Sequence, residues 1–151
     1  MCYNIIMKNV YNTTKTTVSL IRYHFVFCPR YRRKIFLIDG VEDAFKKYTL
    51  DVCTQNRIEI LAMECHKDHV HMFVSAYPDT SPADLMNVIK GATSRVLRQD
   101  FPVLSAMPSL WTRSYFVSTT GNVSAETIQR YVESQKKTPK EHVHAYDPFS
   151  S

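Results

Sequence analysis

Two runs with strand character, IEILAMEC at 58–65 and HVHMFVSA at 69–76, are separated only by the polar HKD. A connection this short forces two extended segments to fold back on each other as an antiparallel hairpin. The hairpin lies mid-chain with a helix-period stretch on each side. Before it, from Gly40 to about Asn56, Val41, Phe45, Tyr48, Leu50 and Val52 recur near helical spacing. After it, Ser81 is a good N-cap for a helix from Pro82 to about Asp100, with proline at the first helical position. The run TVSLIRYHFVFC at 17–28 is rich in β-branched and aromatic residues and reads as a first strand, ended by Pro29. Pro102 and Pro108 punctuate a loop, and LWTRSYFVST at 110–119 reads as the last strand. Gly121 and Asn122 break it, and Ser124 caps a final helix, AETIQRYVESQKK, that stops before Pro139. The order β-α-β-β-α-β predicts an α+β, ferredoxin-like fold with helices on one face of the sheet, plus an extra C-terminal helix. Residues 1–16 read as a flexible N-terminal extension, 17–138 as the folded domain and 139–151 as a C-terminal tail.

At 151 residues, 44% hydrophobic and 22% charged, the chain suits one globular domain with a real core. No apolar stretch approaches the ~18 residues that a membrane span needs. The first residues, MCYNIIMKNVYNTTKTT, lack the apolar core of a signal peptide. Cys2, Cys28, Cys53 and Cys65 form no C-x-x-C pair and read as reduced thiols of a cytoplasmic protein. The formal charge of +5 is concentrated in two places. PRYRRK gathers Arg30, Arg32, Arg33 and Lys34 around Tyr31, and the second helix carries Lys90, Arg95 and Arg98. Such clusters are either solvated faces or contacts to a polyanion, and charge alone leaves both open.

Within KDHVHMFV, His69 and His71 are two apart and therefore share a strand face, opposite Val70, Met72 and Val74. The apolar face supplies the core, so the imidazoles point away from it. Side by side they suit a transition-metal or Mn²⁺ ion, or they are simply surface histidines on a half-exposed strand. Asp68 can orient a ring by accepting its second N–H, or it is a turn residue. A zinc site from Cys65, His66, His69 and His71 is disfavoured, because consecutive Cys65 and His66 diverge on a strand and no further pair at finger spacing follows. A second H-x-H, His142 and His144, follows Pro139 with no strand pattern and reads as tail.

On the final helix Tyr131 and Gln135 are four apart and lie on one face, beside Ile128 and Val132. That is either an amphipathic helix with a packed tyrosine, or a nucleophile with a metal ligand one turn away. HVH followed by YVESQ resembles the single-tyrosine HUH transposases of bacterial and archaeal insertion sequences, including the REP-associated tyrosine transposases. FCPRYRRKIF, IKGATSRVLRQDFP, LWTRSYFVSTTG and IQRYVESQ resemble segments of that family in the right order, over about residues 18–137. Carried over by position, His69 and His71 match the histidine pair, Tyr131 the nucleophile and Gln135 the third metal ligand. The resemblance implies a ferredoxin-like fold and Mg²⁺ or Mn²⁺, with no small-molecule cofactor and no membrane partner. It implies cleavage and rejoining of single-stranded DNA at insertion-sequence ends through a 5′-phosphotyrosine. It also implies a homodimer that recognises subterminal hairpins, the final helix of one subunit completing the site of the other. The basic residues and Tyr31 then become candidate DNA contacts. Many relatives have proline before the Asp of the motif, where this chain has Lys67.

Two other functions fit the same strand order. A replication or conjugation nicking enzyme usually adds a third histidine or a second tyrosine to the motif, and Gln135 argues against it. A non-catalytic or domesticated single-strand-binding module would not need all four catalytic residue types.

Overall fold

The computed structural model describes residues 11–120, together with Arg130 and Glu133, both helical. Its main sheet has four strands: β3 (Ile21–Phe27), β4 (Glu59–Cys65), β5 (Val70–Ala76) and β6 (Phe116–Thr119). Two short strands precede it, β1 (Asn12–Thr13) and β2 (Val18–Ser19), paired with each other. The main sheet runs β4-β5-β3-β6 with every neighbour antiparallel. Helix α1 (Val41–Gln55) connects β3 to β4, and α2 (Pro82–Asp100) connects β5 towards β6. This is the ferredoxin-like α+β order expected from the sequence.

Each helix forms because it has one apolar stripe to bury. On α1 the buried residues are Val41, Phe45, Thr49 and Cys53, spaced four apart, while Leu50 of the expected stripe is 51% exposed. Gly40 starts the helix from a left-handed conformation, φ +83°, that suits glycine. On α2 the stripe is Leu85, Met86, Ile89, Thr93 and Leu97, and Ser81 caps the first turn by accepting the Asp84 N–H at 3.1 Å. Both stripes meet Phe25, Phe27, Val70, Met72 and Val74 of the sheet in one core cluster. Trp111 closes it, edge-on to Phe27 at 5.0 Å and donating its indole N–H to Thr93 Oγ1 at 3.0 Å.

Four local expectations are corrected. The last strand covers only Phe116–Thr119, not 110–119. Trp111 makes a single bridge to Pro29, and the backbone carbonyls of Thr112, Arg113 and Ser114 are held by the Lys90 ammonium, so this stretch cannot extend the ladder. The first strand breaks after Ser19, because Val18–Ser19 turns away to pair with Asn12–Thr13. That small ladder starts inside the stretch read as an extension, and Asn12 ties it to β5 by donating to Ser75 Oγ and the Ala76 carbonyl. The proline-punctuated loop contains one helical turn, α3 (Pro102–Ser105).

The β4–β5 pairing shifts register between Ile60 and Ala62. This bulge lets Ile60 and Met63, an odd number of residues apart, both pack against the helix-side core. It also sets Glu64 opposite His71 on the other face, beside Val26 of β3. All seven β5 residues are buried, which excludes the alternative of surface histidines on a half-exposed strand.

Candidate metal centre

The site is built at the mouth of the β4–β5 hairpin. Cys65 pairs with Val70 on the core face, so the next residues, His66 and His69, face each other on the opposite side, with the His66 N–H donating to the His69 carbonyl at 2.8 Å. Lys67 and Asp68 make the turn. The Phe36 N–H donates to the Lys67 carbonyl at 3.3 Å, pinning the turn to the loop after β3. Phe36 is itself in the core, so the turn inherits the rigidity of the packing.

Asp68 is buried and uses both oxygens. Oδ1 accepts the His69 Nδ1–H at 2.9 Å, and Oδ2 accepts Arg32 Nη2–H at 3.3 Å. Burial works to raise the Asp68 carboxyl. The His69 hydrogen bond and the Arg32, His69 and Lys67 charges outweigh it and hold the pKa below the ordinary carboxylate value. Fixing the His69 proton on Nδ1 leaves Nε2 with a lone pair, and that atom is buried with no hydrogen-bond partner among the described residues.

His71 Nδ1 lies 3.1 Å from His24 Nε2. Burial pushes both rings down, His71 to about 3, helped by the neighbouring His69, His24 and His66 charges, and His24 to about 4. Two neutral rings share one N–H across this contact. With that proton assigned to His71 Nδ1, its Nε2 is also a bare acceptor, and it too is buried without a hydrogen-bond partner among the described residues. His24 is held flat against Phe73, centroids 4.3 Å apart and planes within 3°.

His66 stacks on His69 at 4.5 Å and meets His71 edge-on at 5.5 Å. One ligand atom from each of His66, His69 and His71 falls within 4.8 Å of the others. Two buried, unpartnered Nε2 atoms on neighbouring rings, with a third imidazole close by, fit a divalent ion that accepts nitrogen donors. The Cys65 thiol is not part of the group: it belongs to the core, and burial pushes it well above the ordinary thiol range.

His66 and His24 join the site although neither is among the residues expected to form it. A signal existed for each. A two-residue turn places His66 opposite His69, and His24 alternates with Phe25 and Phe27, which face the core. Of the expected site residues, His69, His71, Asp68 and Arg32 come together. Tyr131 and Gln135 lie outside the described residues, as do His142 and His144.

The basic residues divide. Arg32 turns inward to Asp68. Tyr31 and Arg32 have φ +60° and +51°, a region side chains rarely adopt, and this reversal sends Arg32 in while Tyr31 stands 71% exposed. Arg30 lies 5.3 Å over the Tyr31 ring and donates to Ser109 Oγ at 2.8 Å. Lys90, expected as a phosphate contact, instead donates to the carbonyls of Thr112, Arg113 and Ser114 at 2.9–3.5 Å. Arg30, Tyr31, Lys90, Trp111 and Arg113 line one open cleft. Arg33, Lys34 and Arg95 are exposed and Arg98 is half-buried.

The chain is similar to known proteins over this whole region. The family model described as IS200-like transposase matches residues 17–135. The ISDra2 transposase TnpA of Deinococcus radiodurans is 34% identical over 121 residues, covering 78% of this chain and 86% of that protein. The transposase for insertion sequence element IS200 of Salmonella typhimurium is 33% identical, covering 79% of each. A crystal structure of a Deinococcus radiodurans R1 protein, 33% identical, superposes with a TM-score of 0.67 over 82% of this chain and 97% of its own. A REP-associated tyrosine transposase bound to a REP hairpin, 14% identical, shares the fold at a TM-score of 0.59, over 87% of this chain and 73% of its own. With a model that covers most of the chain and relatives of this identity over most of their own length, the chain belongs to the IS200-like transposase family.

Proposed function

We propose that this transposase cleaves and rejoins single-stranded DNA through a covalent bond to Tyr131, assisted by a divalent metal held on His69 and His71. The observation that carries the metal half is the pair of buried, unpartnered Nε2 atoms, each on a ring oriented from behind, by Asp68 for His69 and by His24 for His71. Gln135 offers an amide oxygen as a further ligand. Mg²⁺ or Mn²⁺ bound there supplies Lewis-acid polarisation of the scissile phosphate and charge stabilisation.

The chain supplies the rest. The Tyr131 phenol oxygen attacks phosphorus and forms an O–P bond as the P–O3′ bond breaks. The phenol proton is lost to solvent, and the departing 3′ oxygen takes up a proton. The product is a 5′-phosphotyrosine and a free 3′-OH, and attack by a 3′-OH reverses it. A free phenol ionises near pH 10, so at neutral pH the reaction depends on the phosphate being made a better target. Arg30, Tyr31, Arg33, Lys34, Arg95 and Arg98 contact the strand. The substrate carries subterminal hairpins, and the protein acts as a homodimer.

Incubation with single-stranded insertion-end DNA and Mn²⁺, followed by denaturing electrophoresis, tests this. The wild type forms a covalent adduct, Tyr131→Phe forms none, and His69→Ala and His71→Ala lose it while His142→Ala and His144→Ala keep it. An adduct on Tyr131→Phe moves the nucleophile elsewhere. Hairpin binding with no adduct from the wild type supports a non-catalytic binding module.

A further inference from the structure

We infer that His66 is a third metal ligand, so that His66, His69 and His71 form a three-imidazole centre carried entirely by the β4–β5 hairpin. The inference rests on the reading of His69 and His71 as ligands and changes what completes the site: a residue of the same hairpin, not only the amide of Gln135.

The hairpin register is the first support. Pairing of Cys65 with Val70 and the His66–His69 backbone bond put His66, His69 and His71 on one face. The second is distance. One nitrogen from each ring lies within 4.8 Å of the others. Tetrahedral bonds of about 2.0–2.1 Å place donor nitrogens about 3.4 Å apart. Side-chain torsions therefore need to close the set by at most about 1.4 Å to reach bonding distance. The third is the frame. The turn is tied to the core through Phe36, and Asp68 is tied to Arg32, so two of the rings stand on a braced scaffold before any ion arrives.

Chemistry then sets the preference. Three imidazoles favour borderline ions such as Zn²⁺ and Co²⁺ over Mg²⁺, which takes oxygen donors and keeps water. Three protein ligands also leave a position open for a phosphate oxygen, the arrangement a catalytic centre needs. The competing explanation is that His66 only stacks on His69 and holds its ring. In that case its removal leaves the ion bound by the other two histidines and Gln135.

Titration of the full-length protein with Co²⁺, without DNA, separates these. Binding is followed by calorimetry and by the visible ligand-field band. Loss of an orienting partner behind a ligand costs about 10–100-fold in metal affinity, and loss of a ligand costs at least as much. His66→Ala and His66→Asn are expected to weaken Co²⁺ binding by roughly 100-fold and to change the band, as His69→Ala does. Gln135→Ala, which removes the amide donor, is expected to weaken binding as well. Asn keeps a polar side chain at the turn, and thermal melts of the metal-free variants check folding. Wild-type affinity and an unchanged band in a folded His66→Asn protein overturn the inference. If His69→Ala and His71→Ala also bind Co²⁺ like the wild type, the site reading itself fails. If those two lose binding and His66→Asn does not, only the third ligand is lost.

Discussion

At the residue scale the controlling side chain is Asp68. It fixes the His69 proton with one oxygen and holds Arg32 with the other. Asp68→Asn keeps the size but removes the charge that both partners use. Metal affinity should fall about 10–100-fold with the fold intact, read by Mn²⁺ or Co²⁺ titration beside a thermal melt. An unchanged affinity would make Asp68 a turn residue only. Arg32 shares in this role, which sets it apart from its neighbours. For single strands, log affinity falls with log salt at about −0.7 per phosphate neutralised. Arg33→Ala and Lys34→Ala, both exposed, should each flatten that slope by about 0.7. Arg32→Ala should leave the slope near wild type while weakening metal binding. A slope loss from Arg32→Ala as large as from Arg33→Ala would return Arg32 to the phosphate contacts.

At the element scale, Lys90 of α2 takes the place of a strand partner for the stretch before β6. Its ammonium gathers three successive carbonyls and lies 5.9 Å from the Phe27 ring centroid and 5.2 Å from that of Tyr115. Burial pushes its pKa down from 10.5 to about 8, with a small opposing pull from the Cys28 thiol. The unfolded chain therefore holds this proton more tightly than the folded one between those values. Stability rises with pH wherever the unfolded state binds more protons. Lys90 thus contributes a gain in stability as pH climbs from about 8 towards 10.5. In urea unfolding at a series of pH values, Lys90→Met should lose that gain relative to wild type. Parallel curves for the two proteins would mean that the carbonyls keep the ammonium as stable as water does.

At the scale of the whole molecule, Trp111 joins the parts. It meets Phe27 of β3, Phe45 of α1 and Thr93 of α2, and bridges to Pro29 at the start of the basic loop. Trp111→Ala should cost about 3–5 kcal/mol and unfold much of the population. Trp111→Phe, which removes a hydrogen bond to Thr93 but keeps a ring, should cost about 1–2 kcal/mol. Equal losses in chemical denaturation would place the value of the residue in its N–H, not its bulk. The proposed homodimer carries its own test. His69→Ala and Tyr131→Phe chains are each inactive, and after subunit exchange they stay inactive if every site forms within one chain. If the final helix completes the other subunit's site, the mixed dimer forms one adduct, carried by the His69→Ala chain. No adduct despite verified exchange rules out the crossed arrangement for cleavage.

The amino-acid sequence by itself determined the order of elements, because period-2 and period-3.6 patterns and short polar connections are local properties. It also determined that His69 and His71 share a face, since Val70, Met72 and Val74 must take the other. The tertiary structure decided what surrounds them. The bulge at 60–62 shifts β4 by one residue, and this slip brings Glu64 opposite His71. His24 reaches His71 only because β3 and β5 are neighbours, though 47 residues separate the two rings in the chain. Arg32 and Lys90 look alike as basic residues in a sequence. One finds a buried carboxylate and the other a row of carbonyls, partners that distant parts of the chain bring to them. His66 stands next to Cys65, and neighbours on a strand diverge. They do diverge here, and it is the core's demand for the thiol that turns the imidazole towards the other two.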